Sequence, residues 1–327
     1  MRRGLALIAA AMLAVNACAL PQAWAQDAIK DWPSRTVRIV IPLGAGGGGD
    51  IFARLLAEEL QKKFGQSFIV ENRPGGGLNI GARACAEAAP DGYTVCVMSS
   101  EPVVFNQFLF KSLPFNPEKD FEPITSLFIN SVALVANSKL NIKSIPAMIA
   151  LAKAQPGTLS YGTFSFVLVQ YMEKLNKRHG IDIVRVPFRS GNEVVNAIMS
   201  GTAPIAFLGL ANMLQQIRAG HINCIALNAY QRSPLFPDMP TLKEASGEDV
   251  PPTWFGLFAP AGTPRAIIEK IHAEVVRVTS DPDWRRRNFI ERAIEPAVTG
   301  TGEFARFVTA SRKQASEIVK EAGIAPQ

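Results

Sequence analysis

The feature that most constrains the fold is a strand, a glycine-rich loop and a helix that follow one another within residues 36–64. Alternating apolar residues over 37–41 predict a buried strand, which Pro42 ends. Residues 44–49 are glycine at every position but one, so the backbone can turn sharply and its N–H groups stay uncovered. Apolar residues then recur every four positions over 52–64, which predicts a helix. A glycine loop between a strand end and a helix start is typical of an anion-binding site.

Strand and helix patterns keep alternating along the rest of the 327 residues. This order predicts an α/β fold with mostly parallel sheets covered by helices. The chain is too long for one compact core, so we expect two lobes, each with a central mostly parallel sheet flanked by helices. The predicted division assigns residues 26–128 and 229–327 to the first lobe and residues 129–228 to the second.

Residues 1–25 have the pattern of a cleaved signal peptide. They combine a basic start, an apolar run over 5–15 and a small-residue cleavage pattern that ends at Ala25. The run is too short to span a membrane stably. An uncut anchor and a lipoprotein signal at Cys18 are the alternatives. The signal predicts export through the inner membrane into the periplasm.

Charge and motif content exclude several function classes. The formal charge of +6 falls to +4 once the two arginines of residues 1–25 are removed, and the only basic run is 285–287, so we expect no nucleic-acid partner. His179, His221 and His272 lie far apart, without the spacing of metal ligands. No Gly-x-Ser-x-Gly nucleophile motif occurs. The sequence therefore predicts no catalytic residues and no metal site.

Three cysteines follow the signal segment: Cys85, Cys96 and Cys224. Cys85 falls in a predicted helix and Cys96 in the following strand, and an exported protein could bridge them. The alternative is three buried thiols, because a bridge needs Cα atoms within about 7 Å. The sequence leaves both alternatives open.

The spacing of Gly44, Gly46 and Gly49 also fits a dinucleotide-binding fingerprint, with Glu71 about 20 residues further on, as that motif requires. An exported NAD(P)-binding oxidoreductase is therefore the alternative function. Consecutive glycines supply this spacing by chance, however, and export removes the chain from nicotinamide cofactors. A third interpretation is that the glycines serve only a tight turn. We favour a small carboxylate as the ligand and expect no cofactor.

Several short motifs, spread in order over nearly all of the exported chain, resemble the Bug-type periplasmic receptors of the tripartite tricarboxylate transporter family. They are WPSR at 32–35, PLGAGGGGD at 42–50, VENRPGGG at 70–77 with NIG at 79–81, APDGYT at 89–94, KDFEP at 119–123, RSP at 232–234 with PDMPT at 237–241, and WFGL at 254–257 with APAGTP at 259–264.

The resemblance implies a type II periplasmic-binding-protein fold, with a ligand held between the lobes. It implies a monomeric, non-enzymatic receptor that delivers a small organic acid to membrane permease subunits. In the family, loops matching residues 43–50 and 75–79 and the turn at 99–101 lie around the ligand. The predicted ligand-binding residues are Leu43, Gly44, Ala45, Gly46, Gly47, Asp50, Gly76, Gly77, Asn79, Ser99, Ser100, Ser165, Phe166, Arg189, Asn192, Gly209 and Trp254.

The second lobe departs from the family pattern. A glycine- and serine-rich loop is replaced by Thr163-Phe164-Ser165-Phe166-Val167, and a tyrosine–lysine–glycine stretch by Phe188-Arg189-Ser190-Gly191. The family's aspartate after the later strand is absent from residues 207–210. These changes exchange small donors for apolar bulk, so we expect a monocarboxylate or aromatic acid, with Arg189 as the nearby fixed cation.

Overall fold

The computed structural model describes residues 31–188 and 191–326, and within them the chain builds two sheets. The strands are β1 (Val37–Ile41), β2 (Phe68–Asn72), β3 (Thr94–Ser99), β4 (Phe121–Asn130), β5 (Val132–Asn137), β6 (Ser160–Gly162), β7 (Val184–Val186), β8 (Ile205–Gly209), β9 (Ile222–Asn228), β10 (Thr253–Pro260) and β11 (Glu295–Pro296).

Helices cover both sheets. The α-helices are α1 (Gly48–Phe64), α2 (Asn79–Ala86), α3 (Asn106–Leu109), α4 (Ile145–Ala154), α5 (Phe166–His179), α6 (Gly191–Ser200), α7 (Leu210–Arg218), α8 (Leu242–Ser246), α9 (Arg265–Ser280), α10 (Pro282–Asn288) and α11 (Thr301–Glu321). A π-helical turn spans Glu101–Phe105, and 3₁₀ turns span Gly76–Leu78, Ser138–Leu140 and Ile290–Arg292. In residues 31–188 and 191–326, no helix is long and apolar enough to cross a membrane.

The first sheet has six strands in the order β11-β4-β10-β3-β1-β2. Strands β1, β2 and β3 are parallel, whereas β10 is antiparallel to both β3 and β4. β1 to β4 therefore run in one direction, while β10 and β11 run in the other. The sheet is mixed, because β10 returns from the second sheet and enters between β3 and β4 from the opposite end.

The second sheet has five strands in the order β7-β6-β8-β5-β9. β6 is parallel to β7 and β8, and β5 is antiparallel to β8 and β9. Most strands again share one direction, with β5 reversed because the chain enters the sheet there. The chain passes from β4 to β5 through Ser131 alone and returns to the first sheet over residues 229–252.

The first strand and helix form as their sequence pattern predicts. Val37, Ile39 and Ile41 are fully buried, and so are Phe52 and Leu56 on the inner face of α1. The helix ends where Gly65 adopts a left-handed conformation (φ 70°) and its N–H donates to the carbonyl of Gln61. This packing fixes the N-terminus of α1 at the carboxyl end of β1.

Cys85 of α2 and Cys96 of β3 form a disulfide bond, with their Cα atoms 6.2 Å apart. The bonded alternative for this pair is therefore correct, and the alternative with free thiols is wrong for it. Cys224 is a free cysteine, and burial raises the pKa of its thiol to about 12. The disulfide links α2 to β3, the strand whose carboxyl end borders the candidate site.

Candidate functional site

The candidate site lies between the carboxyl ends of parallel strands from the two sheets. The first sheet contributes the loops after β1 and β2 and the turn after β3, and the second contributes the segments after β6, β7 and β8. The two edges face each other: the N–H of Gly48 donates to Asn212 Oδ1 across 3.2 Å. Ligands of open α/β sheets bind at such strand ends.

The loop after β1 is shaped by a carboxylate of its own. Asp50 is only 2% exposed. Its Oδ2 accepts the N–H of Gly46 at 2.9 Å, and its Oδ1 accepts Asn72 Nδ2 at 2.8 Å. Arg54 donates to both oxygens: its Nε lies 3.1 Å from Oδ2 and its Nη2 lies 3.0 Å from Oδ1. Asp50 therefore holds the glycine loop in shape, and both of its oxygens accept hydrogen bonds within the first lobe. Its predicted ligand contact stays a prediction.

The partners of Asp50 also decide its protonation. Burial by itself raises the pKa of a carboxyl group, but the hydrogen bonds from Arg54, Gly46 and Asn72 outweigh it, so the pKa of Asp50 is lowered. Asn72 Nδ2 also donates to the carbonyl of Leu43 at 3.0 Å. The loop is thus tied at Leu43 and Gly46, and both ties converge on the end of β2.

The remaining loop residues are open toward the cleft. Ala45 and Gly46 are exposed, while Gly44 and Gly47 are partly buried. No atom lies within 4 Å of where a Cβ on Gly44 would stand, whereas a Cβ on Gly46 would lie 3.7 Å from Asn192 Nδ2 of the opposite lobe. Gly46 has φ 84°, a conformation that favours glycine.

Asn212, near the start of α7, was not predicted as a site residue. Its Oδ1 accepts the N–H of Gly48 in the first turn of α1, a position that a helix N-cap or a bound anion would otherwise fill. Its Nδ2 donates to the carbonyl of Gly209 at 3.3 Å. The contact joins residues 164 positions apart, so no local sequence signal could have revealed it.

The second glycine loop is rigid in a different way. Gly75, Gly76 and Gly77 all have positive φ, and a Cβ on Gly77 would lie 2.9 Å from the ring of Phe110. Gly76 and Gly77 are exposed, but Asn79 is buried. Asn106 Nδ2 donates to Asn79 Oδ1 at 2.7 Å and to the carbonyl of Gly77 at 2.8 Å. Asn106 therefore braces the loop, and Asn79 holds the Asn106 amide in place.

The turn after β3 carries buried polar groups that lack strong partners. Ser99 is 2% exposed and Ser100 is buried as well. Ser99 Oγ lies close to the Glu101 carboxyl group, but no hydrogen bond of ordinary geometry joins them within the described residues. Glu101, the residue after Ser100, is partly exposed. Burial raises its pKa, and the nearby Ser99, Thr253 and Ser100 hydroxyls oppose the shift only in part.

Glu101 was not among the predicted ligand-binding residues, although the turn that contains it was expected beside the ligand. The missing signal is tertiary: the Thr253 hydroxyl, which opposes the rise in the pKa of Glu101, reaches the turn only because β10 lies beside β3. The sequence showed a glutamate at a helical start, where a solvent-exposed position is the ordinary expectation.

The second lobe contributes small and aromatic residues. A Cβ on Gly209 would lie 2.9 Å from Asn130 Oδ1, so a larger residue at this strand end would make the Asn130 side chain move. Ser165 is buried at the start of α5, and the ring of Phe166 lies 6.1 Å from that of Phe105 in the first lobe. Asn192 is exposed. Arg189 lies outside the described residues.

Trp254 packs in the core of the first lobe and also lines a small pocket with Ser100 and Phe105, and its predicted ligand contact stays a prediction. It is buried and packs edge-on against Phe304 at 5.6 Å and Phe307 at 5.4 Å, both from α11. Its alternation along β10 turns it to the face covered by α11, away from the face that Phe255 shares with α1. Trp254 is therefore chiefly a core residue. Among the residues described, no cluster of three or more His, Cys, Asp or Glu could hold a metal ion.

The comparisons with known proteins decide the family. A family model described as the tripartite tricarboxylate transporter family receptor matches residues 52–324. The chain belongs to this receptor family. A protein of Bordetella bronchiseptica from the group named UPF0065 is 32% identical to this receptor over 326 residues, which cover 98% of this chain and 93% of that protein. These matches confirm the resemblance inferred from the motifs.

Solved structures give the same result for the fold. Rpa4515 of R. palustris with adipate superposes with a TM-score of 0.84 and is 27% identical, covering 90% of this receptor and 100% of that chain. MatC of Rhodopseudomonas palustris with bound malate has a TM-score of 0.78 and is 28% identical. The match covers 88% of this receptor and 100% of that chain. The two-lobed periplasmic receptor fold is confirmed, and the oxidoreductase alternative gains no support.

Proposed function

We propose that this receptor closes on a small organic carboxylate between its two lobes and delivers it to the permease subunits of a tripartite transporter, without catalysing a reaction. The observation that carries the proposal is the opposition of two strand-end surfaces, joined by the Gly48–Asn212 hydrogen bond. Structural neighbours solved with adipate and malate support a carboxylate as the ligand.

The location and the moving parts belong to the same proposal. Residues 1–25, outside the described residues, act as a cleaved signal peptide, and the mature receptor works as a monomer in the periplasm. The lobes comprise residues 26–128 with 229–327, and residues 129–228. The passages at Ser131 and over 229–252 act as the hinges on which the lobes close.

The second lobe favours a ligand with one carboxylate or an aromatic body. Phe188 packs on Gly162, where a Cβ would lie 2.7 Å from its ring, and Phe164 is 45% exposed. Phe166 reaches the first lobe through Phe105. Apolar and aromatic walls complement a small apolar body, whereas a tricarboxylate would need further donors on this side.

Native mass spectrometry of the receptor purified from the periplasm, followed by calorimetric titration, tests the proposal. We expect a retained small acid, and binding of at least one compound from a panel of benzoate, phenylacetate, adipate, malate and citrate. Tight binding of NAD(H) with no binding of any carboxylate would refute the receptor function. Binding of citrate alone would refute only the monocarboxylate preference.

A further inference from the structure

The first turn of α1 takes its cap from the other lobe. Gly47, the N-cap residue of α1, has no side chain that could accept a hydrogen bond from the helix. The N–H of Gly48 donates instead to Asn212 Oδ1, 3.2 Å away on α7. The first N–H groups of a helix have no partner within it, so this bond satisfies a group that would otherwise need water or an anion. The cap therefore exists only while the lobes are together.

Small residues allow the two helix ends to approach each other closely at this point. A Cβ on Gly48 would lie 3.6 Å from the Cβ of Ala211, the second residue of α7. Ala211 packs against the apolar cluster of the first lobe that includes Phe52 and Phe255. The hydrogen bond is thus partly shielded from water, and an apolar contact lies beside it.

The start of α7 is also fixed to the proposed hinge. The N–H of Leu210 donates to the carbonyl of Ser131 at 2.8 Å, and Ser131 is the single residue between β4 and β5. On the other side of the contact, Asp50 holds the loop before α1 by accepting the N–H of Gly46. Both partners are therefore held within their own lobes, so a rotation at the hinge separates them.

Both ends of the Asn212 amide have protein partners. Its Oδ1 accepts the N–H of Gly48, and its Nδ2 donates to the carbonyl of Gly209 at 3.3 Å. A flipped amide would place a donor against the N–H and the acceptor against the carbonyl, so these two partners fix its orientation. The side chain is therefore suited to holding the lobes together and not to contacting a ligand.

We propose that Asn212 is a latch residue: its bond to Gly48 holds the lobes closed whether or not a ligand lies between them, and it thereby sets how long a ligand is retained. The inference rests on the proposed receptor function and adds a positioning residue to it. Because the contact joins protein groups only, its contribution to closure is the same for every ligand. A contact made through the ligand would instead depend on the chemistry of that ligand.

Distances between spin labels on the two lobes measure the latch without any ligand. We suggest labels at Glu58→Cys on α1 and Gln215→Cys on α7, both exposed positions, in a Cys224→Ala background. Asn212→Ala should raise the ratio of open to closed forms about fivefold, which corresponds to about 1 kcal/mol, the typical loss for an N-cap asparagine. Asn223→Ala, which removes a hydrogen bond within the second lobe, is the control and should leave the distances unchanged.

Gly48→Pro removes the donor from the other side of the bond. Proline is accepted at the first position of a helix, and Gly47 before it has the extended backbone that a residue preceding proline prefers. We expect at least the opening seen in Asn212→Ala, and no further opening in the double variant. Gly48→Ala keeps the N–H and places its Cβ at an ordinary contact distance, so it should stay closer to wild type than Gly48→Pro.

The rates of ligand exchange test the effect on retention. We suggest stopped-flow measurements with benzoate, phenylacetate, adipate, malate and citrate. Each acid that wild type binds should dissociate about fivefold faster from Asn212→Ala, by the same factor for all of them, and its association should not be slowed. General damage to the second lobe would not produce this division between the two rates. Thermal unfolding of each variant checks that the fold is intact.

Two results would overturn the inference. One is an unchanged distance distribution in both Asn212→Ala and Gly48→Pro, which shows that the bond does not hold the lobes. The other is a dissociation rate that does not rise, or that rises for some of the acids only; in the second case Asn212 contacts the ligand. Either result leaves the carboxylate receptor standing. If wild type binds none of the acids, the proposed receptor function fails, and the label distances still decide whether the latch exists.

Discussion

Two carboxyl groups at the same edge of the first sheet have pKa values that are shifted in opposite directions. Asp50, after β1, has Arg54, Asn72 and the N–H of Gly46 as partners, and its pKa is lowered. Glu101, after β3, has hydroxyl groups beside it, no ion pair among the described residues, and a raised pKa. The difference separates a carboxyl group held by a guanidinium and a backbone donor from one with hydroxyl neighbours alone.

The contrast follows from the cost of burying charge. A carboxylate with a guanidinium fork and backbone donors is stabilised as an anion. One with hydroxyl neighbours alone keeps most of the free-energy cost of burying its charge. The following predictions test this contrast, from the largest expected effect to the smallest.

Asp50→Ala should cause the largest loss of stability. The substitution removes the hydrogen-bond acceptor of the N–H of Gly46, of the Asn72 amide and of part of the Arg54 guanidinium. Each buried unsatisfied group costs about 1–3 kcal/mol, and Arg54 is half-exposed, so we expect a total of about 2–4 kcal/mol. Denaturant unfolding measures it. Asp283→Ala is the control: its carboxylate is 77% exposed beside Arg286, and its loss should cost under about 0.5 kcal/mol.

The pH dependence of stability in wild type and Asp50→Ala tests whether Asp50 is ionised in the folded protein. The folded-state pKa of Asp50 lies below its unfolded value, so its contribution is complete above about pH 4 and is lost as the pH falls through the folded pKa. Wild type should therefore lose stability faster than Asp50→Ala upon acidification below about pH 4. Parallel curves would contradict the assignment of Asp50 as an ionised anchor.

Arg54→Gln should make Asp50 resemble Glu101. It removes the cation but leaves the hydrogen bonds from Gly46 and Asn72, so we expect a loss of about 1–2 kcal/mol and a higher pKa for Asp50. NMR titration of the Asp50 carboxyl carbon measures the pKa. Arg265→Gln, which removes an exposed pair with Glu269 at the same i,i+4 spacing, is the control and should change stability little. An unchanged pKa would mean that the donors alone account for the contrast.

The sequence predicted the backbone of this region and missed its side-chain partners. The strand, the glycine loop and the helix follow from alternation, Pro42 and the four-residue period, all local signals. The partners of Asp50 include Asn72, which lies 22 residues away, and the hydroxyls near the Glu101 carboxyl include that of Thr253 on the returning strand β10. The order of strands in the sheet decides which distant residues meet, and local patterns do not encode that order. The sequence therefore predicted a ligand contact for Asp50 and none for Glu101.

The second lobe shows the same division. Gly209 was expected beside the ligand from its position after a strand, whereas Asn212, three residues on, was not. The difference is that Gly209 marks a turn, which leaves a local signal, while Asn212 acts only through the first lobe. Trp254 was expected to contact the ligand, and this stays a prediction: strand alternation turns its ring toward α11, where it also lines a small pocket with Ser100. An aromatic residue alone does not reveal which face it will cover.

Asn212→Ala should reduce closure without damaging either lobe. It removes the cap on the N–H of Gly48, and losing an N-cap costs about 1 kcal/mol. Because the bond joins the lobes, we expect a larger radius of gyration for the ligand-free variant in small-angle scattering and a small decrease in stability. Asn223→Ala is the control: it removes a 3.1 Å bond to the carbonyl of Ile142 within the second lobe, and the radius should not change. Equal radii for all three proteins would show that the contact does not favour the closed form.

Glu101→Gln should have the smallest effect on the ligand-free protein, and in the opposite direction from Asp50→Ala. Replacing a buried charge that has no cation by a neutral isostere is neutral or stabilising, here by about 0–1 kcal/mol at pH 7. The folded-state pKa of Glu101 lies above its unfolded value of about 4.3, so wild type loses stability as the pH rises from there through the folded pKa. The stability of the variant relative to wild type should therefore increase between pH 4 and pH 7, whereas that of Asp50→Ala does not. A variant that is less stable than wild type at pH 7 would show that Glu101, like Asp50, is an ionised and satisfied anchor, and the contrast between the two carboxyl groups would disappear.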